Sequence, residues 1–370
     1  MTKIEFESAT IIDAIKKAAR VAPSKAGTAF DQAWGILMQV TPGEEVKCLI
    51  RATNLDVFYS EVVSCISAEG DDAVWRLPSQ LLAAVLGSLP IGSGKRIRFE
   101  TKGAGQALIT SGRLTTTVNL GDPSYYADWD MFDPDGMATV SGLGGRLAMV
   151  EWAADVSGQP PLNGVWIDGD YLVATDRYKF VRVPMKVEVP KTIVVPAGIL
   201  SSTLKAMGDT SVAVGESRLQ LMPDDFTQVE AVLYDVAVPD TSRITRDDYP
   251  VLVEVPKGQL IDMLGRANQF AGAERSPMLK MYFGRGEIAA MMENAEVGLL
   301  GDVIEIPGKL DHPRIRINFD PKYIIGALTK APGDRVTLGY DPGKTDRFFY
   351  IKGDSGYECW IVPRKDVTTS

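Results

Sequence analysis

The sequence is poor in the residues on which many enzymes and metal sites depend. It has one histidine and three cysteines in 370 residues. His312 lies in a polar, turn-like stretch with no cysteine nearby, which favours a solvated loop histidine over a zinc ligand or a general base. Cys48, Cys65 and Cys359 are far apart and lie in apparent strands, so they predict small buried side chains and no disulfide framework. No cofactor and no metal are expected.

Long apolar runs are also missing. No stretch approaches the roughly 20 uncharged apolar residues of a membrane helix. The opening segment 1–10 lacks the basic-then-apolar order of a signal peptide. The chain is therefore predicted to be soluble and cytoplasmic, without a membrane partner.

The nucleotide-binding motifs are incomplete. Residues 91–96, Ile-Gly-Ser-Gly-Lys-Arg, lack both the first glycine and the final Ser or Thr of a phosphate loop. The glycines of 142–145 lack the full spacing of a dinucleotide fingerprint. Adjacent acids such as Asp247 and Asp248 have the pattern of a solvated surface. No catalytic site is predicted.

What the chain does contain is a weak internal repeat whose period is a whole domain. The segments 52–57, 174–179 and 292–297 are strand-like and carry Asn54, Asp176 and Asn294 at their third positions, spaced by roughly 120 residues. Each is followed by a helix start at a proline, which the first helical turn tolerates. These prolines are Pro78, Pro196 and Pro321.

Each copy also opens with a helical pattern of apolar residues. The stripes are Ile11, Ile15 and Ala18 in the first copy, Leu143, Leu147, Val150 and Ala154 in the second, and Leu260, Leu264 and Ala267 in the third. Short runs rich in Val, Ile, Thr, Tyr and Phe lie between the helices. The predicted fold is α+β, with two helices packed on antiparallel sheets in each of three domains, 1–125, 137–248 and 249–370.

Several motifs resemble, in the correct order, those of bacterial beta sliding clamps, the beta subunits of DNA polymerase III. They are Pro161–Val165 followed by Tyr171–Asp176, then Asp248–Pro250, Glu296–Gly298, Phe319–Tyr323 and Trp360–Pro363. Two places depart from the family pattern. Residues 177–180 are Arg-Tyr-Lys-Phe where the family has Gly-His-Arg-Leu, and the chain continues after Pro363 through Arg364 to Ser370. Such changes would suit a divergent, phage-encoded member and leave its partner specificity open.

The resemblance implies a processivity factor that is not an enzyme. Each chain would form half of a closed ring, a head-to-tail homodimer that encircles double-stranded DNA without reading its sequence. DNA polymerase and the clamp loader would bind through a peptide groove. The alternatives are a non-ring adaptor of clamp fold that binds no DNA, and an enzyme whose site is assembled from distant acids.

The formal net charge of −9 argues, taken alone, against DNA binding. The six helix candidates 8–22, 78–89, 142–158, 196–208, 256–271 and 320–330 nevertheless sum to +4, so the rest of the chain carries −13. That segregation fits a mildly basic bore inside an acidic surface, although helix surfaces in general often carry lysine. The residues expected to face DNA are Lys16, Lys17, Arg20, Lys25, Arg146, Lys205, Lys257, Arg266 and Lys322.

The family's partner-binding residues are carried over by position. The peptide groove is expected to be lined by Leu162, Thr175, Arg177, Tyr178, Lys179, Phe180, Leu252, Tyr323, Phe349, Val362, Pro363 and Arg364. The bland alternative is that Leu162, Phe180 and Val362 complete domain cores. The dimer interface is expected near Thr116, Val118, Gln269 and Phe270.

Overall fold

The computed structural model describes residues 1–23, 31–43, 47–103, 105–131, 136–189, 191–198, 200–201, 209–246, 248–272 and 277–365. The chain forms two compact units. One comprises Met1–Gly145 with Gly198–Asp235, and the other Arg146–Ala197 with Val236–Ser370. The second predicted domain, 137–248, contributes strands to both units.

The first unit contains helices and two antiparallel sheets. Its helices are α1 (Ser8–Val21) and α2 (Ser79–Gly87). Its strands are β1 (Lys3–Glu7), β2 (Ile36–Thr41), β3 (Lys47–Thr53), β4 (Val57–Val63), β5 (Ser67–Glu69), β6 (Ala73–Leu77), β7 (Arg96–Thr101), β8 (Gln106–Ser111), β9 (Leu114–Asn119), β10 (Ala138–Val140), β15 (Thr210–Val214), β16 (Arg218–Asp224) and β17 (Thr227–Val232). The strand orders are β5-β1-β7-β8-β9 and β10-β15-β16-β17-β4-β3-β2-β6.

The second unit repeats this plan. Helix α3 (Leu143–Val150) contains the boundary between the units, and α4 (Lys257–Ala271) and α5 (Pro321–Lys330) follow. The strands are β11 (Gly164–Ile167), β12 (Tyr171–Thr175), β13 (Lys179–Pro184), β14 (Ile193–Pro196), β18 (Val251–Pro256), β19 (Leu279–Gly284), β20 (Glu287–Asn294), β21 (Gly298–Glu305), β22 (Ile315–Phe319), β23 (Arg335–Tyr340), β24 (Phe349–Lys352) and β25 (Glu358–Ile361). The sheet orders are β14-β11-β12-β13-β25-β24-β23-β18 and β21-β20-β19-β22.

The predicted helices lie close to their observed bounds, because their apolar stripes are buried against the sheets. Three short helices are of the 3₁₀ type: Pro123–Tyr125, Glu151–Ala153 and Asp354–Gly356. The predicted helix 142–158 ends earlier than expected, because Ala154 is extended and Gly158 N–H bonds to Asp155 O at 2.7 Å in a turn. Of the predicted helix 196–208, Pro196 instead ends β14, Leu200 and Ser201 are helical, and 202–208 lie outside the described residues.

The repeated motif, predicted to be strand-like throughout, is strand only as far as Thr53 and Thr175 and then forms the same turn in the first two copies. Leu55 and Arg177 both have a left-handed backbone, with φ of 77° and 79°. In one copy Asn54 Oδ1 accepts from the N–H groups of Asp56 and Val57 at 3.1 and 2.7 Å. In the other, Asp176 Oδ1 accepts from Tyr178 and Lys179 at 3.0 and 2.9 Å. Side-chain acceptors of this kind stabilise turns by replacing a backbone acceptor.

The turn of the third copy keeps the acceptor but is one residue longer. Asn294 Oδ1 accepts from Glu296 and Val297 N–H at 3.0 and 3.2 Å. The first residue of the motif, Ala52 in the first copy, pairs across the hairpin with Tyr59, and its equivalent Met292 pairs with Leu300. These pairs give the alignment of the strands beyond the turn.

Each eight-stranded sheet joins two copies of the repeat. Strand β4 of the first copy pairs with β17, and β13 of the second pairs with β25. Both joints contain the same hydrogen bond, from Val232 N to Asp56 O and from Val362 N to Tyr178 O, at 2.8 Å in each. The strand after the turn therefore pairs with the last strand of the following copy.

We expect Asn54→Ala to lower the free energy of unfolding by about 1 kcal/mol, because two backbone N–H groups lose their acceptor. Urea denaturation followed by circular dichroism would measure the change. Asn54→Asp is the matched control, since Asp176 performs the same role in the second copy, and it should unfold close to the parent. An Ala variant as stable as the parent would show that the turn does not need this side chain.

Candidate functional site

All of the predicted groove residues lie in the second unit, and the turn at 176–178 places several of them together. Thr175 Oγ1 donates to Lys179 O at 2.7 Å and accepts from Arg177 N at 3.2 Å, so the hydroxyl closes the turn. Tyr178 then projects into solvent with 56% of its surface exposed. Its ring stacks on Tyr323 of α5, with ring centroids 6.1 Å apart and an interplanar angle of 14°.

A buried lysine lies beneath this tyrosine pair. Lys179 Nζ is 4.9 Å from the centroid of the Tyr323 ring and 5.2 Å from that of Trp152. The ammonium also donates to Asp176 Oδ2, and both side chains are largely withdrawn from solvent. A desolvated cation requires such compensation, which a carboxylate and two ring faces provide.

Tyr323 remains a neutral ring at ordinary pH. Burial, reinforced by the charges of Asp176 and Asp320, raises the pKa of Tyr323 to about 12. Trp152 packs directly on the same helix, because a Cβ placed on Gly326 would lie 2.6 Å from the indole. Trp152 was not among the predicted residues. Gly326, a glycine inside a predicted helix, was the one signal of its close approach.

The remaining groove residues divide into buried and accessible sets. Phe180 is 2% exposed and packs edge-on against Trp360, and Phe349 is fully buried between Phe283 and Phe319. These two side chains therefore belong to the core. Leu252 is 55% exposed on β18. Leu162, Val362, Pro363 and Arg364 are partly exposed.

The sequence did not predict an aromatic series on the same face as Phe180. Tyr249 stacks on Tyr350 at 5.5 Å, Tyr350 lies 5.2 Å from Trp360, and Trp360 lies 5.6 Å from Phe180. Trp360 Nε1 donates to Arg246 O at 2.9 Å. The series crosses the pairing of β13 with β25, so aromatic packing stiffens the joint on which the accessible residues lie.

The residues expected to face DNA differ in how far they are already engaged. Lys25 and Lys205 lie outside the described residues. Lys322 is exposed on α5, and Arg20 is exposed at the end of α1. Lys257 Nζ donates at 2.8 Å to Ala331 O, the cap of α5, and Arg146 donates to Pro184 O. Lys16 reaches the last residue of α2, where a Cβ on Gly87 would lie 3.3 Å from its Nζ.

Lys17 and Arg266 are held by carboxylates. Lys17 Nζ lies 2.9 Å from Asp13 and 3.3 Å from Glu61. Burial lowers the pKa of Lys17, but the hydrogen bonds and charges of Asp13 and Glu61 outweigh it and raise the pKa above its ordinary value. Arg266 Nε and Nη2 both approach Asp302 Oδ2, at 2.7 and 2.6 Å.

The predicted interface residues lie beside strands at sheet edges. Thr116 and Val118 are on β9, where they line a hollow of about 340 Å³. Leu81 of α2, which the sequence reasoning missed, lines the same hollow and is 64% exposed. In the second unit, Gln269 and Phe270 lie at the end of α4, and Asn294 Nδ2 donates to Phe270 O at 3.3 Å beside the start of β21.

Strand β21 has an exposed apolar side. Leu299 and Val303 of this strand are 60 and 50% exposed, and Val297, just before its first residue, is 67% exposed. Both β9 and β21 are terminal strands in the sheets of the described chain. An exposed edge carrying apolar side chains is a template for pairing with another strand.

Comparison with known proteins is consistent with this geometry. No family model matches the chain. A beta sliding clamp of Staphylococcus aureus is 23% identical over 309 residues, which cover 78% of each chain. A relative from Staphylococcus epidermidis, also a beta sliding clamp, has the same identity and coverage.

Solved structures extend the likeness to the whole chain. The beta subunit of DNA polymerase III from Thermotoga maritima superimposes with a TM-score of 0.83 at 17% identity, covering 99% of this chain and all of that one. The DNA polymerase sliding clamp of Bacillus subtilis gives 0.78 at 16% identity, with 99% of each chain covered. The predicted α+β fold is confirmed. The chain is thus similar in sequence to the bacterial beta sliding clamps, as its motifs predicted, and it has their fold.

Proposed function

We propose that this protein is a DNA sliding clamp, a ring that encircles duplex DNA and tethers a DNA polymerase. One observation carries the proposal. The strand after the repeated turn pairs with the last strand of the next copy twice, as β4 with β17 and β13 with β25. The strand after the turn in the third copy is β21, and the last strand of the first copy is β9. Neither pairs in this way within the described sheets, where both are terminal strands. A second chain would supply the missing partner for each.

Pairing of β21 with β9 of a second chain supports a closed homodimer. A head-to-tail contact made twice closes the assembly, whereas one that did not close would extend into a filament. Each chain would contribute the three domains 1–125, 137–248 and 249–370. The function implies no catalysis, so we infer a scaffold and not an enzyme, acting with a DNA polymerase and a clamp loader.

The register of this pairing follows from the two joints within the chain. Phe58 and Phe180 lie opposite Glu230 and Trp360, respectively. If β21 pairs with β9 of a second chain in the same register, Leu299 would lie opposite Thr117 of that chain. Tyr323 occupies in α5 the position of Leu81 in α2, and Tyr178 occupies the position of Val297. The stacking of Tyr178 on Tyr323 therefore supports a contact between Val297 of one chain and Leu81 of the other.

We expect Leu81→Asp and Leu299→Asp to weaken self-association more than tenfold, because each would place a charge in an apolar contact. Light scattering at a series of micromolar concentrations would measure the mass. Phe226→Asp is the matched control, since Phe226 is 63% exposed but lies in the turn between β16 and β17. A monomeric parent, or two Leu variants that remain dimeric, would contradict the proposed interface.

The accessible cations on the helices support a bore that contacts phosphates weakly. Lys16, Arg20 and Lys322 lie on α1 and α5. Contacts of this kind position DNA without reading bases and depend strongly on salt. The acidic remainder of the chain would keep DNA from binding elsewhere.

We expect the double variant Lys16→Glu/Arg20→Glu to bind a linear duplex more weakly and with a shallower salt dependence. The logarithm of the binding constant against that of salt concentration should lose about 0.9 of slope per contact removed. Lys186→Glu/Lys352→Glu changes the net charge equally at exposed positions outside the helices and should leave the slope unchanged. Equal effects of the two double variants would argue against a helical bore.

The accessible groove residues support binding of a linear peptide from the polymerase or the loader. Tyr178, Leu252 and Val362 offer apolar surface. Arg177, whose side chain is 70% exposed and lies 4.0 Å from Asp155, borders it. Mixed surfaces of this kind bind short motifs through apolar anchors with polar groups at the rim. Because residues 177–180 depart from the family pattern, this groove would prefer a peptide different from the one that the family binds.

We expect Tyr178→Ala and Tyr323→Ala each to weaken binding of a peptide from the cognate polymerase by about 1–3 kcal/mol, without changing the dimer. Fluorescence anisotropy of the labelled peptide would measure this. Tyr125→Ala removes a comparably exposed tyrosine from the first unit and should bind as the parent does. If both groove variants bind as tightly as that control, the peptide is held elsewhere.

A further inference from the structure

Two ion pairs occupy equivalent places in the first and third copies. Lys17 immediately precedes Ala18 in the apolar stripe of α1, and Arg266 immediately precedes Ala267 in that of α4. Their partners, Glu61 and Asp302, also correspond. Each lies two residues beyond the strand residue that pairs with the first position of the repeated motif, Tyr59 in β4 and Leu300 in β21.

The second copy has uncharged residues at both positions. Met149 precedes Val150 in the stripe of α3, and Val183 lies two residues beyond Val181, the partner of Ala174. At the helix position of Lys17, Met149 and Arg266, a cation therefore occurs only in the copies that have a carboxylate at the corresponding strand position. This concurrence within one chain indicates that the two positions act as a pair.

The two carboxylates hold their cations firmly. Glu61 is 15% exposed and also accepts a hydrogen bond from Tyr59. Burial raises the pKa of Tyr59, and the charge and hydrogen bond of Glu61 raise it further. Asp302 is 23% exposed, and its Oδ2 accepts a hydrogen bond from Arg266 Nε and lies 2.6 Å from Nη2. The arginine itself is 55% exposed, so its outer face is open to solvent.

We propose that Glu61 and Asp302 attenuate DNA binding by neutralising the helix cation of their copy. The proposal depends on the proposed function, in which the helices that carry Lys17 and Arg266 line the bore. A phosphate that approached either cation would compete with a carboxylate already in contact, and the carboxylate would repel it. The ring would therefore hold DNA by fewer phosphates than its basic residues suggest, and movement along the duplex would break fewer contacts.

The alternative is that the pairs only join helix to sheet. An ion pair near the protein surface contributes little to stability. The two readings differ in what happens when the carboxylate is removed. If the carboxylate attenuates, its loss should strengthen DNA binding. If it only joins the helix to the sheet, DNA binding should be unchanged.

Asp302→Asn is the decisive variant, and Glu305→Gln is its control. Glu305 lies on the same strand, is exposed, and alternates to the other face of the sheet. Both changes remove one negative charge, but only the first frees Arg266. Binding of the full-length protein to a fluorescent linear duplex, onto which a closed ring can thread, would be measured by anisotropy over a range of salt concentrations.

We expect Asp302→Asn to bind more tightly at low salt, with a slope steeper by about 0.9 per arginine freed, while Glu305→Gln resembles the parent. Adding Arg266→Gln to Asp302→Asn should abolish the gain, whereas Arg266→Gln alone should change binding little. If Asp302→Asn is impaired in folding, the small effect of Arg266→Gln alone still tests the idea, because a large loss would show that Arg266 already contacts DNA.

Two results would overturn the proposal in distinguishable ways. Equal binding by the parent, Asp302→Asn and Glu305→Gln would refute attenuation while leaving the clamp function intact. A parent that shows no salt-dependent association with the duplex would refute the proposed function and the inference together.

Discussion

Antiparallel backbone pairing between successive copies of one repeat is the interaction on which the rest of this structure depends. It unites β4 with β17 and β13 with β25 through the same register and the same closing hydrogen bond. Backbone hydrogen bonds do not depend on side-chain identity, so copies with little sequence in common can be joined in one way. The pairing leaves β9 and β21 at sheet edges and places the turn at 176–178 beside the end of β25.

Side chains then adapt each joint to a different use. In the first unit, Tyr126 and Trp129, which lie on the segment between β9 and β10, cover the pairing of β4 with β17. Arg51 lies 3.9 Å from the Trp129 ring centroid. Arg218 donates to Asp130 O at 2.9 Å, and Arg347 makes the matching bond to Asp248 O at 3.4 Å in the second unit. In the second unit, the aromatic series from Tyr249 to Phe180 leaves Tyr178 and Leu252 accessible. The pairing of β4 with β17 is thus covered by the segment between β9 and β10, whereas the pairing of β13 with β25 leaves apolar residues exposed beside it.

Several basic residues of the helices are already engaged by other groups of the protein. The helices carry some of the exposed cations, such as Arg20 and Lys322, yet Lys17 and Arg266 are paired with carboxylates, and Lys257 caps the end of α5. An overall charge of −9 would be compatible with the proposed DNA binding only if the attraction is local and modest. The proposed function requires contacts with DNA that are numerous enough to keep a ring aligned and weak enough to break.

The sequence by itself determined the α+β class, the internal repeat and most helix bounds, because apolar periodicity is a local signal. It did not determine the repeated turn, which begins inside segments predicted to be strand-like, or the end of β14 at Pro196, where a helix start was predicted. It also predicted that Thr175–Phe180 belong to a partner-binding groove. Only the tertiary structure decided that Phe180 and Phe349 are buried while Tyr178 and Leu252 are accessible, since strand alternation does not reveal which face another segment covers. Likewise, Trp152, Leu81 and the pairs formed by Glu61 and Asp302 became visible only when distant segments were brought together, because their partners lie far away in the chain.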